Sequence, residues 1–269
     1  MGQIVGAFAM SHQLGAPDGV EEQSERVFQG MKEIGRRIRA LAPDVLVVVA
    51  SDHLNNFSLA APAPFAIGIA ASFDPLGDMG LPRDSVPGAP DFARGLRAFA
   101  EAGGVTIAIA DPVQPDHGMM IPLGIVDPGR RVPAVPLYVN TVFYPEPAPA
   151  DCRRLGELVG AYVERLPGDA RVVLLGGGGL SHWVGTPQEG TINQPWDRAF
   201  LDDMLAGDLD ALAALRNPDI LAVAGNGALE VNAWIVVAAA VPCARGECLF
   251  YEAIPQWATG MAGVELHIG

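Results

Sequence analysis

The fold is decided by the stretch VLVVVA, residues 45–50, which is followed directly by SDHLNNF, residues 51–57. The first segment is an unbroken aliphatic run in which β-branched side chains dominate, and this pattern predicts a central strand buried on both faces. The second segment carries a carboxylate, an imidazole and two amides. Because open α/β sheets bind ligands at the carboxyl ends of their strands, we expect a functional site at this point.

Three other histidines follow strand-like runs in the same way. His12 follows residues 4–10, His117 comes soon after residues 105–110, and His182 follows residues 172–175 and four glycines. A single histidine is more often a structural residue than a ligand. Four of the chain's five histidines at strand ends would meet at one edge of a sheet, which favours a metal site or an acid–base site.

The elements around residues 45–50 define the fold class. Residues 19–41 predict an amphipathic helix with glutamates near its start and arginines near its end, as the helix macrodipole favours. Strand, helix and strand in succession indicate a parallel pair. The 269 residues show no linker, so we expect a single α/β domain over residues 1–269, with a central, largely parallel or mixed β-sheet flanked by helices.

Further elements are predicted from periodicity and apolar runs. The strands expected are residues 65–73, 134–139, 249–254 and 264–268, and the helices are residues 92–102, 152–166, 196–206, 209–215, 218–224 and 228–240. Residues 74–90 are rich in glycine and proline and predict a long loop. Such loops in enzymes often form lids or pocket walls.

Composition excludes several classes of partner. The net charge of −14, with one lysine and sixteen arginines, argues against binding nucleic acid or an anionic membrane. The N-terminus lacks the pattern of a signal peptide, and the apolar residues 231–241 are too short to span a bilayer. Cys152, Cys243 and Cys248 form no Cys-x-x-Cys pair, so we interpret all three as structural and expect a reducing, cytoplasmic location.

The four glycines of residues 176–179 allow two interpretations. A phosphate-binding loop is weakly supported, because neither a Gly-Lys-Ser/Thr ending nor a G-x-G-x-x-G spacing is present. Glycine also lets the backbone approach a ligand without a Cβ in the way. We favour this second use, since it would place His182 near a reacting group.

A metal-binding set can be assigned from the residue types. Two imidazoles and one carboxylate around a divalent ion leave three adjacent positions open, as in non-haem Fe(II) oxygenases. His12, His53 and Glu230 are the set we assign, although a glutamate at the start of an apolar helix can also simply favour the helix dipole. Nitrogen and oxygen donors suit Fe(II), Mn(II) or Zn(II).

The remaining histidines have different predicted roles. His117 and His182 are free to transfer protons, because an imidazole titrates near neutral pH. Asp116 either orients His117 or belongs only to the turn. His267, close to the C-terminal end, is expected at the surface.

Five motifs together resemble the class III extradiol ring-cleavage dioxygenases. They are Ser11-His12, residues 51–57, Asp116-His117-Gly118 with Ile121-Pro122-Leu123, residues 177–182, and Glu230, and residues 254–260 add to the likeness. The resemblance implies that His12, His53 and Glu230 bind Fe(II), and that His182 acts as the base and His117 as the proton donor. It also implies that O2 opens the ring of a catechol-type substrate beside two adjacent hydroxyls.

The sequence differs from this family in ways that bear on the substrate. Trp183 stands where a glutamine is common, and we expect no fused small-subunit segment. A plain catechol, a carboxylated catechol and a hydroxypyridone would all suit the metal. We expect a homo-oligomer and allow for a small accessory subunit. The alternative functions are a metal-dependent hydrolase with the same three ligands and a non-catalytic subunit of a dioxygenase.

Overall fold

The structure is a computed structural model that describes residues 1–57, 63–242 and 244–268. It is an α/β fold in which one large mixed sheet is flanked by helices, which confirms the predicted fold class. The interpretation of Cys243 as structural lies outside the described residues. Cys152 is fully buried in the core and Cys248 is partly buried.

The strands are numbered here along the chain. They are β1 (Gln3–Met10), β2 (Val45–Ser51), β3 (Phe65–Gly68), β4 (Ser72–Phe73), β5 (Val86–Pro87), β6 (Ala108–Ala110), β7 (Ala134–Val139), β8 (Arg171–Gly177), β9 (Arg245–Ile254) and β10 (Thr259–His267). Eight of them form the main sheet in the order β6-β3-β7-β2-β8-β1-β10-β9, and β4 pairs with β5 alone. The four central strands β7, β2, β8 and β1 are parallel, whereas β3 and β10 run antiparallel to their central neighbours.

Helices cover both faces of this sheet. They are α1 (Glu21–Ala40), α2 (Pro90–Ala102), α3 (His117–Val126), α4 (Pro149–Glu164), α5 (Gln194–Ala206), α6 (Leu209–Ala214), α7 (Asn217–Ala224) and α8 (Val231–Ala240). Short 3₁₀ turns occur at Asp78–Gly80, Gly227–Glu230 and Pro255–Trp257. Within the described ranges, no helix has both the length and the hydropathy that crossing a membrane requires.

The strand β2 is buried on both faces, as its sequence predicts. Val47 and Val49 belong to the core cluster that includes residues of α4 and α8. Leu46 and Val48 belong to the other cluster, which includes residues of α1 and α3. Since alternate side chains of a strand point to opposite faces, an unbroken aliphatic run fills two cores at once.

Two predicted elements differ from the observed ones, and one observed helix was not predicted. The strand expected over residues 65–73 ends at Gly68, and β4 then pairs with β5 instead of joining the main sheet. The helix expected over residues 228–240 begins as a 3₁₀ turn that ends at Glu230. Helix α3 was not predicted, because its side chains are almost all buried and it contains Pro122, so it shows no polar face.

Candidate active site

Three of the four histidines reach the site from adjacent parallel strands. His12 follows β1, His53 follows β2, and His182 follows β8, which lies between β1 and β2 in the sheet. The carboxyl ends of these strands share one edge, so the expectation that the histidines meet there is correct for these three.

His117 reaches the same place by a different route, which corrects the strand-end argument for this residue. Strand β6 is parallel to β3, and β3 is antiparallel to β7, so the carboxyl end of β6 lies at the opposite edge of the sheet. Residues 111–116 then return to the site. The Gln114 backbone N–H donates to the Asn56 side chain over 2.9 Å, and its carbonyl accepts from the same amide over 3.0 Å.

The loop after β2 is built on Asp52. This carboxylate is fully buried and accepts hydrogen bonds from the backbone N–H groups of Asn55, Asn56 and Phe57 over 2.8–2.9 Å. Its oxygens are thus occupied by the turn. Asp52 therefore shapes the loop that holds residues 111–116 rather than facing the cluster of histidines.

Glu230 lies at the centre of the cluster. Its Oε1 is 3.0 Å from His53 Nε2, 3.7 Å from His12 Nε2 and 2.8 Å from the Ser51 hydroxyl, which donates to it. Its Oε2 accepts from the Gly179 N–H over 2.6 Å and is 3.8 Å from His182 Nε2. The structure thus brings together the three residues assigned as a metal-binding set and one of the two assigned to proton transfer.

The imidazole rings pack against one another. The ring centroids of His12 and His53 are 5.2 Å apart, and those of His12 and His117 are 5.4 Å apart. The rings of His53 and His117 stack with centroids 4.2 Å apart. The rings of His12, His53 and His117 therefore form one cluster, and His182 joins it through Glu230.

Outer hydrogen bonds orient three of the four rings. The Nδ1 atom of His53 is 3.2 Å from Asp116, that of His117 is 2.5 Å from Asp78, and that of His182 is 2.8 Å from the Leu180 carbonyl. Such partners fix the tautomer and leave Nε2 free to face the site.

The carboxylate of Asp116 is directed to His53 and to the turn. It accepts from the His53 backbone N–H over 2.8 Å, and it caps α3 by accepting from the Gly118 N–H over 3.0 Å. Of the two roles left open by the sequence, the turn role is the one observed, and the imidazole that Asp116 orients is that of His53.

The charges in the cluster are strongly coupled. Burial lowers the pKa of His12 to about 4. Burial also acts to lower the pKa of His53, but hydrogen bonds to Asp116 and Glu230 outweigh it and raise that pKa to about 10. Burial acts to raise the pKa of Glu230, whereas the surrounding imidazoles hold it well below its ordinary value. Glu230 is therefore an ionised, buried carboxylate, and such groups are paired or bind metal ions.

The donor atoms fit a divalent cation. Two ligand atoms bound side by side to one ion at ordinary metal–ligand distances lie about 3 Å apart. The distances from Glu230 to the two Nε2 atoms approach this value. The nitrogens of His12, His53 and His117 also lie within 4.8 Å of one another, which makes His117 a competing third ligand.

Glycines provide the room for this packing. A Cβ added at Gly227 would lie 2.0 Å from His182 Nε2, and one at Gly179 would lie 2.8 Å from the same ring. The Gly179 N–H also contacts Glu230 directly. This agrees with the interpretation that the glycines after β8 serve close approach.

Sequence reasoning missed Asp78 as part of the site, and it included Ser51 in the motif of residues 51–57 without predicting its hydrogen bond to Glu230. Asp78 comes from the loop predicted over residues 74–90 and contacts His117. A contact across 39 residues leaves no local pattern, and only the flanking Gly77 and Gly80 hint at a special turn. His267 lies at the far end of β10, exposed as predicted and away from the cluster.

Comparison with known proteins defines the family. Residues 6–262 match the family model described as the catalytic LigB subunit of aromatic ring-opening dioxygenase. The chain belongs to this family and is an extradiol ring-cleavage dioxygenase.

Curated relatives cover nearly the whole chain. The 2,3-dihydroxyphenylpropionate/2,3-dihydroxicinnamic acid 1,2-dioxygenase of Klebsiella pneumoniae (strain 342) is 27% identical over 85% of this chain and 87% of its own length. The enzyme of the same name from Cupriavidus necator is 28% identical over 92% of this chain and 91% of its own length. The resemblance to class III extradiol dioxygenases is thus confirmed.

A solved structure shares the fold. It is that of the uncharacterized protein JW3007 from Escherichia coli K12, with a TM-score of 0.56 and 17% identity. The match covers 97% of this chain and 100% of that one. At this identity the likeness shows the fold alone.

Proposed function

We propose that this enzyme depends on Fe(II) and opens the ring of a catechol-type substrate, a vicinal dihydroxy aromatic compound, with O2. The observation that carries the proposal is the convergence of His12 Nε2 and His53 Nε2 on Glu230 Oε1, over 3.7 and 3.0 Å. Two imidazole nitrogens and one carboxylate oxygen on one side of an ion leave adjacent positions for the substrate and O2.

The proposed ligands are His12, His53 and Glu230. Ser51 and Gly179 hold the carboxylate by hydrogen bonds, and Asp116 fixes the tautomer of His53, so the ligand atoms are oriented before an ion arrives. When bound, Fe(II) supplies an anchor for two adjacent substrate oxygens and the redox chemistry that O2 requires. Thiolates are absent from this set, which suits Fe(II) better than metals that prefer sulfur.

The proposed proton transfers use His182 and His117. His182 donates from Nδ1 to the Leu180 carbonyl, so its Nε2 is the nitrogen that accepts a proton from a substrate hydroxyl. His117 directs its Nδ1–H toward Asp78 and, when the ring also carries a proton on Nε2, donates that second proton to the oxygen released as the ring opens, which leaves the neutral Nδ1–H form. Two bases on different elements allow removal and return of a proton at different atoms.

The substrate class within the catechols is open to experiment. In the described part of the chain, the ion pairs that Glu230, Asp116 and Asp78 make are all with histidines. The two curated relatives are named for substrates with a carboxylate side chain, and a carboxylated catechol remains a candidate beside a plain catechol and a hydroxypyridone.

The assembly and the location remain proposals from the sequence. We expect a single catalytic domain over residues 1–269, a cytoplasmic homo-oligomer, and a small accessory subunit if the isolated chain is inactive. Light scattering coupled to size-exclusion chromatography measures the oligomeric state. The family comparison names catalytic dioxygenase subunits, so neither the hydrolase nor the non-catalytic alternative gains support.

The function is tested by anaerobic reconstitution with Fe(II), followed by O2-electrode measurements and absorbance scans. The panel contains catechol, carboxylated catechols and 3-hydroxy-4-pyridone. We expect one O2 consumed per substrate and a yellow ring-opened product. Bound iron without O2 uptake on any of these compounds would contradict the proposed substrate class.

A further inference from the structure

We propose that Asp78 is the positioning residue for His117. It accepts the Nδ1 proton of this imidazole and thereby keeps Nε2 directed at the reacting groups. The inference deepens the proposed function, because it rests on His117 acting there as the proton donor. Nothing in the sequence or in the comparisons assigns a role to Asp78.

Two contacts join the residues. Asp78 Oδ2 lies 2.5 Å from His117 Nδ1, and the same oxygen accepts from the His117 backbone N–H over 3.3 Å. The exposed fractions of the two side chains are 26% and 16%, so water competes little for this hydrogen bond. One carboxylate oxygen thus fixes both the backbone and the ring at the start of α3.

Among the residues that the structure describes, no other carboxylate bonds to the His117 ring. Asp116, the sequence neighbour of His117, directs its oxygens to His53 and to the Gly118 N–H. The stacked rings of His53 and His117 are therefore held by two separate carboxylates, Asp116 and Asp78. Removing Asp78 would leave His117 Nδ1 without this acceptor and would let the imidazole change its tautomer or turn about χ2.

The backbone around Asp78 forms a tight turn that places its carboxylate beside His117. Gly77, Met79 and Gly80 all have positive φ, at 72°, 52° and 74°. Left-handed backbone at a residue such as Met79 costs free energy and persists only where the surroundings enforce it. The Leu76 N–H donates to the Pro115 carbonyl over 2.9 Å, which fastens this turn to the segment that leads into His117.

The Asp78 carboxylate affects the His117 imidazole in two ways. An acceptor at Nδ1 selects the Nδ1–H tautomer, so that Nε2 is the atom that holds or transfers a proton. A carboxylate also stabilises the protonated ring, which the donor must be before it gives up its proton. Asp78 needs no contact with the substrate for either effect.

Kinetics of five variants, four single and one double, test this role. We expect Asp78→Ala to lower kcat by about 10- to 100-fold with less than a twofold change in KM, since outer partners of this kind have such effects. Asp78→Asn keeps an acceptor oxygen and should recover part of the loss. Asp74→Ala removes an exposed carboxylate of the same loop and should behave like the parent. In a His117→Ala background, Asp78→Ala should change kcat by less than twofold.

A spectroscopic measurement avoids dependence on turnover. In the metal-free protein, long-range ¹H–¹⁵N NMR of the imidazoles, assigned with His117→Ala, should show the Nδ1–H tautomer of His117 in the parent. The same signals in Asp78→Ala should shift toward a mixture with Nε2–H. Iron content and thermal unfolding should stay within error of the parent in Asp78→Ala.

The failures are distinguishable. An unchanged tautomer in Asp78→Ala, or an equal loss of kcat in the His117→Ala background, overturns the role of Asp78. A loss of kcat that follows a loss of iron or of thermal stability also overturns it, because the role would then be structural. If His117→Ala alone leaves kcat intact, the proton-donor role in the proposed function fails as well.

Discussion

At the scale of single residues, hydrogen bonds to neighbouring groups occupy some polar atoms of each side chain in the site and so determine which atoms remain available. Glu230 has both oxygens hydrogen-bonded, and His53, His117 and His182 each have Nδ1 engaged. The residue types and their strand-end positions were predictable because they follow apolar runs. The outer partners were not, since a hydrogen bond between Asp78 and His117 depends on how a loop crosses the sheet edge.

Iron content tests the ligand set. Loss of a ligand should lower bound iron about tenfold or more, so His12→Ala, His53→Ala and Glu230→Gln should lose it. His117→Ala and His182→Ala serve as matched controls and should retain it. The measurement is iron per chain after reconstitution and desalting. Retention of iron by Glu230→Gln together with its loss from His117→Ala would assign the third ligand to His117 instead.

At the scale of elements, the helices and strands that could be predicted from the sequence were those with a clear hydrophobic pattern. β2 and α1 were predictable because one is uniformly apolar and the other has a clear polar face. Helix α3 was not, because a buried helix with an internal proline shows neither helical periodicity nor a polar face. Its N-cap, Asp116, was noticed in the sequence for its adjacency to His117 and not for its contact with Gly118.

The 3₁₀ turn at Gly227–Glu230 packs closely against His182, and a substitution there can be compared with the same substitution at an uncrowded glycine. A methyl group at Gly227 would lie 2.0 Å from His182 Nε2, so Gly227→Ala should displace the proposed base. Misplacement by about 1 Å can lower turnover about 100-fold. Gly124 lies on α3 with no atom within 4 Å of an added Cβ, so Gly124→Ala should keep kcat and gain about 0.5–1 kcal/mol of stability. Equal kcat in both variants would contradict the conclusion that the space beside His182 admits no methyl group at residue 227.

At the scale of the whole molecule, the sheet supplies the framework and the charge distribution sets its pH response. Mixed strand direction was within the predicted fold class, but which strands reverse was not predictable, because pairing partners far apart in sequence leave no local pattern. The consequence is that His117 reaches the cluster through a return segment, residues 111–116, rather than from the end of a strand.

The stability of the metal-free protein should decline on the alkaline side. The pKa of His53 is raised to about 10 in the folded state from its ordinary value of 6.5. Between these two pH values the folded chain therefore binds more protons than the unfolded chain. The stabilisation of the folded state by protonated His53 is complete below pH 6.5 and is lost as the pH rises toward 10. By pH 9 we expect the free energy of unfolding to fall by about 2 kcal/mol, a figure reduced to allow for the partial exposure of His53.

Urea unfolding between pH 6.5 and 9 measures this decline. His53→Gln should flatten the curve, whereas His267→Gln, a change at an exposed histidine, should leave it as in the parent. Fe(II) added anaerobically should raise the unfolding midpoint of the parent and not that of His53→Gln, because a ligand that binds only the folded state stabilises it. An alkaline decline of the same size in His53→Gln would show that another group causes it.

The reversed direction of β6 separates two parts of the enzyme that evolution can alter independently. His12, His53 and His182 are spaced by the sheet itself, so an insertion near them would disturb the strand register. His117 begins α3, directly after the connecting segment of residues 111–116, and its ring is oriented by Asp78 from a second loop. Changes of length or shape in these loops would shift the proposed proton donor while leaving the spacing set by the sheet intact.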